Sequence, residues 1–139
     1  MKRVLYAIAI ALLVPMVAGA GPMKPGKWQM STQTEMEGTP STVPAVITRC
    51  VTPEEAEKLE PPRSMKNPDD CKIGDYNVAG RIMTWSVKCM RQNARGGGKI
   101  MYNDDSYSGQ LKMKLGKSDM TQTYNGKLVG NCDPVKPAK

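Results

Sequence analysis

The residue types that most readily do chemistry in this 139-residue chain are its four cysteines, Cys50, Cys71, Cys89 and Cys132. A zinc site needs paired cysteine or histidine ligands a few residues apart, and a thioredoxin-like redox site needs C-x-x-C. Here 20, 17 and 42 residues separate successive cysteines, and the chain contains no histidine. The pattern therefore reads as two structural disulfides. The missing histidine also removes Ser-His-Asp and Cys-His nucleophilic arrangements.

The remaining polar clusters have simple structural readings. Glu54, Glu55, Glu57 and Glu60 crowd one short segment, "TPEEAEKLE", where carboxylates favour a helix N-terminus. Asp104 and Asp105 lie in "NDDS", a turn sequence with too few oxygen ligands at defined spacing for a calcium loop. The "GGGK" at 96–99 lacks the G-x4-G-K-[ST] frame of a phosphate cradle and reads as a flexible hairpin loop. The expectation is a protein with no catalytic residues, no metal site and no cofactor.

The elements that would position these residues follow from the order of the chain. Residues 1–20, "MKRVLYAIAIALLVPMVAGA", combine two basic residues, an apolar run and a small-residue end, the three-part pattern of a secretory signal peptide. The apolar run is too short to cross a bilayer and is broken by Pro15. The expected product is exported, soluble and periplasmic, in an oxidising compartment where disulfides persist. Residues 21–132 then form one domain, and 133–139 a flexible C-terminal tail.

Period-2 alternation dominates that domain. In "YSGQLKMKL", Tyr107, Gly109, Leu111, Met113 and Leu115 share a face against Ser108, Gln110, Lys112 and Lys114. "GKWQMSTQTEM" places Trp28, Met30, Thr32, Thr34 and Met36 together, and "RIMTWSVKC" aligns Met83, Trp85, Val87 and Cys89. Further strands are expected at 43–51, 99–103 and 120–129, the last with Met120, Tyr124 and Leu128 recurring. The parity slip between Ile73 and Tyr76 places a bulge at Gly74. Turns are expected at Ala79-Gly80, "NARGGG", "NDDS" and Gly116-Lys117. One helix starts at Thr52, where Pro53 suits the first position and Glu55 completes a capping box. The fold class is mainly β: a single small antiparallel sheet curled into a sandwich or open barrel, with one short helix and two disulfides.

Of the three possible pairings, Cys50 with Cys71 and Cys89 with Cys132 is favoured, because it staples the helix and its Pro-rich exit loop. The rival joins Cys71 to Cys89 across the hairpin centred on Gly80.

The order "MKPGKWQM", "TRCVTPEEAEK", "DDCKIGDYNVAGRIMTWSVKC", "YNDDSYSGQLKMKL" and "NGKLVGNC" resembles the exported bacterial proteins catalogued as domain of unknown function 3617. The resemblance covers nearly all of residues 21–132. It implies a small periplasmic β domain, and no activity or site residue comes with it. The loop "MRQNARGGGK" is more basic than the family's usual polar stretch.

Charge and composition narrow the functional classes. Lys2 and Arg3 account for two of the formal +7, leaving +5 on residues 21–139. The cations look scattered: Arg91, Arg95 and Lys99 flank a loop, Lys112 and Lys114 share a strand face, and Lys136 and Lys139 sit in the tail. A nucleic-acid binder would concentrate them between stacking aromatics. Solvated faces with a weak attraction to anionic lipid or polysaccharide fit better. Phenylalanine is absent, so Trp28, Met30, Met83, Trp85, Leu111, Met113 and Tyr124 form the candidate apolar groove or core. The leading expectation is a non-enzymatic binding module for a small apolar ligand or an envelope protein partner. The alternative uses the soft thioethers of a methionine-rich chain to hold Cu(I) or scavenge oxidants.

Overall fold

The computed structural model describes residues 21–62 and 70–133, so the expected leader and all but the first residue of the expected tail lie outside the described residues. The alternating segments form β1 (Gly26–Met36), β2 (Ala45–Val51), β3 (Cys71–Ala79), β4 (Ile82–Cys89), β5 (Ala94–Tyr102), β6 (Ser106–Leu115) and β7 (Ser118–Gly130). They pair antiparallel throughout, in the order β2-β1-β7-β6-β5-β4-β3, as one seven-stranded sheet that does not close. The helix α1 (Pro53–Glu57) is a little over one turn long. Its capping box is complete: the Thr52 side chain accepts from the Glu55 amide, and the Glu55 carboxylate accepts from the Thr52 amide. That second bond, with Arg49 nearby, holds the Glu55 carboxyl below the usual carboxylate range.

β2 and β3 are the two edges of the sheet, and α1, which follows β2, lies over its inner face. The Tyr76 hydroxyl on β3 donates to the Leu59 carbonyl just beyond α1, tying one edge to the segment that leaves the other. Inside the curl, small residues make room for large ones. A Cβ on Gly98 would lie 2.1 Å from the Trp85 ring, and one on Gly126 would lie 2.0 Å from the Tyr107 ring. Both glycines are thus fixed by ring packing on a pleated surface. The core includes Trp28, Met83, Trp85, Ile100, Leu111 and Met113, all nearly inaccessible.

Three local expectations are corrected. The disulfides are Cys50–Cys132 and Cys71–Cys89, with Cα atoms 5.5 and 4.0 Å apart, so the favoured pairing is wrong and the hairpin rival is right. Cys50 and Cys71 stand on opposite edges of the sheet, whereas the β3–β4 register puts Cys71 directly opposite Cys89. Cys50 is reached by the chain leaving β7, because Lys27 of β1 pairs with Gly130 on one side and Cys50 on the other. The glycine run is also no loop. β5 begins at Ala94, Gly96 to Gly98 pair with both β4 and β6, and the turn lies at residues 90–93. The hairpin after β3 turns through Gly80 and Arg81, Ala79 being already paired, and Gly80 takes the positive φ of 59° that a tight turn requires. The bulge falls where the parity slip puts it, between Gly74 and Asn77, with Asp75 at φ 48°.

Candidate ligand cavity

The curl and its helical cover border an open cavity of about 510 Å³. That size suits a small organic ligand. Sheet residues supply one wall, including Met30 and Thr32 from β1, Ile100 from β5 and Tyr107 from β6. The other wall comes from Met23, Leu59 and the acidic surface of α1. The tyrosines of residues 21–139, Tyr76, Tyr102, Tyr107 and Tyr124, all lie on the inner phase of their strands. Tyr102 and Tyr107 pack as tilted rings with centroids 5.6 Å apart, and Tyr107 meets Trp28 at 5.8 Å. Burial pushes the Tyr102 hydroxyl far above its ordinary pKa, with the neighbouring Tyr107 and Tyr76 adding to the effect. Burial also raises Tyr107, and Arg49 opposes that rise.

Arg49 has a distinct place. Register puts it opposite Trp28 on the inner face, between Ile47 and Val51. Among the described strand residues of that face it is the one charged side chain. Its guanidinium donates to Glu55 at 3.4 Å, a single long contact at the cavity mouth. Glu54, Glu55, Lys58 and Glu60 complete the rim, with Lys58 and Glu54 joined at 2.7 Å. The inner face also carries a buried polar chain: Tyr124 donates to Gln122 at 2.6 Å, and Gln122 donates to Thr34 at 3.2 Å.

Of the seven residues singled out in the sequence, Met30 and Tyr124 line the cavity. Trp28, Met83, Trp85, Leu111 and Met113 are packed into the core around it. The indole N–H of Trp28 donates to the Lys24 carbonyl at 2.9 Å, while that of Trp85 is buried without a partner among the described residues. Met30, Met83 and Met113 do not converge: they sit on β1, β4 and β6, and Met113 lies over Gly96 of β5. Among the described residues, no group of three or more His, Cys, Asp or Glu side chains could hold a metal ion, and no helix is long and apolar enough to cross a membrane. Arg49, Tyr102 and Tyr107 were not singled out as site residues. The signal for Arg49 was present, since it breaks an otherwise apolar phase from Ile47 to Val51.

A curled, disulfide-stapled antiparallel sheet roofed by one helical turn is the class that this geometry defines. The chain belongs to the family described as protein of unknown function (DUF3617), whose profile matches residues 23–132. No curated protein and no solved structure matches it.

Proposed function

We propose that this protein is a non-enzymatic, exported binding module whose cavity takes a small apolar ligand with one anionic end. The observation that carries the reading is the cavity itself, whose aromatic and aliphatic sheet wall carries Arg49 as its one charged side chain, beside a rim of Glu54, Glu55, Lys58 and Glu60. A carboxylate on Arg49 would form two parallel hydrogen bonds in place of one long contact to Glu55. The ligand's chain would lie against Met30, Ile100 and the tyrosines. The N-terminal leader pattern and the paired cysteines support export.

Calorimetric titration with decanoate and with decanol tests the reading. Decanoate is expected to bind the protein and decanol to bind more weakly. Arg49→Gln should remove that difference, and Glu55→Gln should strengthen decanoate, because glutamine keeps the capping box but frees Arg49. Met30→Trp, which fills the cavity, should abolish both. Failure of both probes on the folded protein would end the ligand reading. Copper retained by the purified protein and lost on changing Met30, Met83 and Met113 to leucine would replace it with metal handling.

A further inference from the structure

The sheet gathers on its outer face the cations that look dispersed along the chain. Lys72 of β3 stands opposite Lys88 of β4, Lys88 opposite Arg95 of β5, and Arg95 opposite Lys114 of β6. Four basic residues thus run side by side across four adjacent strands, and the row ends at Asp119 of β7. Like charges placed directly opposite one another destabilise a sheet. The cost is not relieved locally: among the described residues none of the four forms an ion pair, Lys114 and Asp119 included, although Lys24, Lys27, Arg49, Lys58, Arg81 and Arg91 all do. At about 4.8 Å between strands the row spans roughly 14 Å, wider than a single phosphate.

A cleft of about 500 Å³ opens at this row, and Lys88, Arg95 and Lys114 line it together with Met90, Asn93 and Gly116. Among the described residues, no acidic side chain lines it. At its rim, in the turn between β4 and β5, Met90 is 67% exposed. An uncompensated row of cations, a cleft among three of them and an apolar side chain projecting beside it are separate observations with one chemical complement. We infer that this face docks on an anionic lipid surface: the cleft receives a phosphate-bearing headgroup, the row neutralises its neighbours, and Met90 enters the acyl boundary. The ligand cavity and this cleft share no lining residue, so this site does not depend on the cavity's function.

The test is sedimentation with vesicles of phosphatidylcholine alone or mixed with phosphatidylglycerol. The protein is expected to bind the mixed vesicles, to ignore pure phosphatidylcholine, and to come off as salt rises. Each basic side chain near such a surface contributes about fivefold, so Lys88→Gln, Arg95→Gln and Lys114→Gln together should weaken partition by about a hundredfold. A matched variant with Lys27, Lys58 and Arg81 changed to glutamine loses the same net charge away from the cleft and should weaken partition far less. The cleft variant should also melt at or above the wild-type temperature, because it removes opposed like charges. Equal losses in the two variants would overturn the site in favour of net-charge attraction. Tight binding of inorganic pyrophosphate that displaces the vesicles would reassign the cleft to a free anion. Stronger binding to dextran sulfate than to the vesicles would reassign it to a polysaccharide.

Discussion

The two faces of the sheet are built from the same seven strands and obey opposite rules. On the inner face a single cation stands among rings, thioethers and glycines spaced to fit them. On the outer face four cations stand shoulder to shoulder, with Asp119 at one end of the row and no ion pair among the described residues. Period 2 assigns every residue to one face or the other, so the chain writes two surfaces at once. The inner surface spends its sequence on close packing, and the outer one tolerates repulsion that packing would not require. The difference teaches that stability here is an inner-face property, and substitutions should show it.

The largest effect is expected at Trp85, 3% exposed and in tilted contact with the Tyr124 ring at 6.5 Å. Trp85→Ala should cost about 3–5 kcal/mol in denaturant unfolding through lost burial and a residual cavity. Trp85→Phe should cost much less, because it also removes an indole N–H that has no partner among the described residues. An unchanged midpoint for the alanine variant would break the assignment of stability to the inner face.

Gly98 comes next. A methyl group there would meet the Trp85 ring, and overpacking of that kind costs about 1–3 kcal/mol. A Gly98→Ala variant as stable as the wild type would show that the curl can relax around its rings.

The tyrosines give a pH signature. Burial raises Tyr102 and Tyr107 above the ordinary 10.0, so the folded protein holds their protons more tightly than the unfolded chain. Their contribution is complete below pH 10 and is lost as pH rises from there through the folded-state values. For Tyr102 the slope approaches about 1.4 kcal/mol per pH unit. Alkaline melting curves should therefore fall more steeply for the wild type than for Tyr102→Phe, and identical curves would remove the interior tyrosine from the explanation.

The smallest effect is expected at Gly97, the outer-face neighbour of Gly98. Its added methyl would approach nothing closer than the Trp85 carbonyl oxygen at 3.4 Å. Gly97→Ala should change stability by about 0.5–1 kcal/mol or less, on the stabilising side, because alanine loses less backbone freedom than glycine. The contrast between adjacent glycines tests the two-face description within one strand.

What could be read from the sequence was local. β1 keeps the bounds of its alternating run, the capping box sits at Thr52, and the bulge follows Gly74, because each depends on residues a few positions apart. What could not be read depended on strand order. The favoured cysteine pairing failed because nothing in the sequence says that β2 and β3 are opposite edges of the sheet. The glycine run looked like a loop because the rings that require its missing side chains belong to other strands. The basic row was hidden for the same reason, since its members come from four separate strands. Arg49 was visible as a charge on an apolar phase, and only the roof of α1 gives that position a cavity to serve.

The two bridges differ in when they can form. Cys71–Cys89 closes over 18 residues within one hairpin, whereas Cys50–Cys132 closes over 82 and needs the strand at the very end of the fold. Local closure is fast and long-range closure is slow. Oxidation therefore has a built-in order: the hairpin bridge is available as soon as β4 exists, and Cys50 waits as a free thiol until β7 has been made and delivered past β1. A chain stopped short of residue 132 cannot close the Cys50 bridge at all.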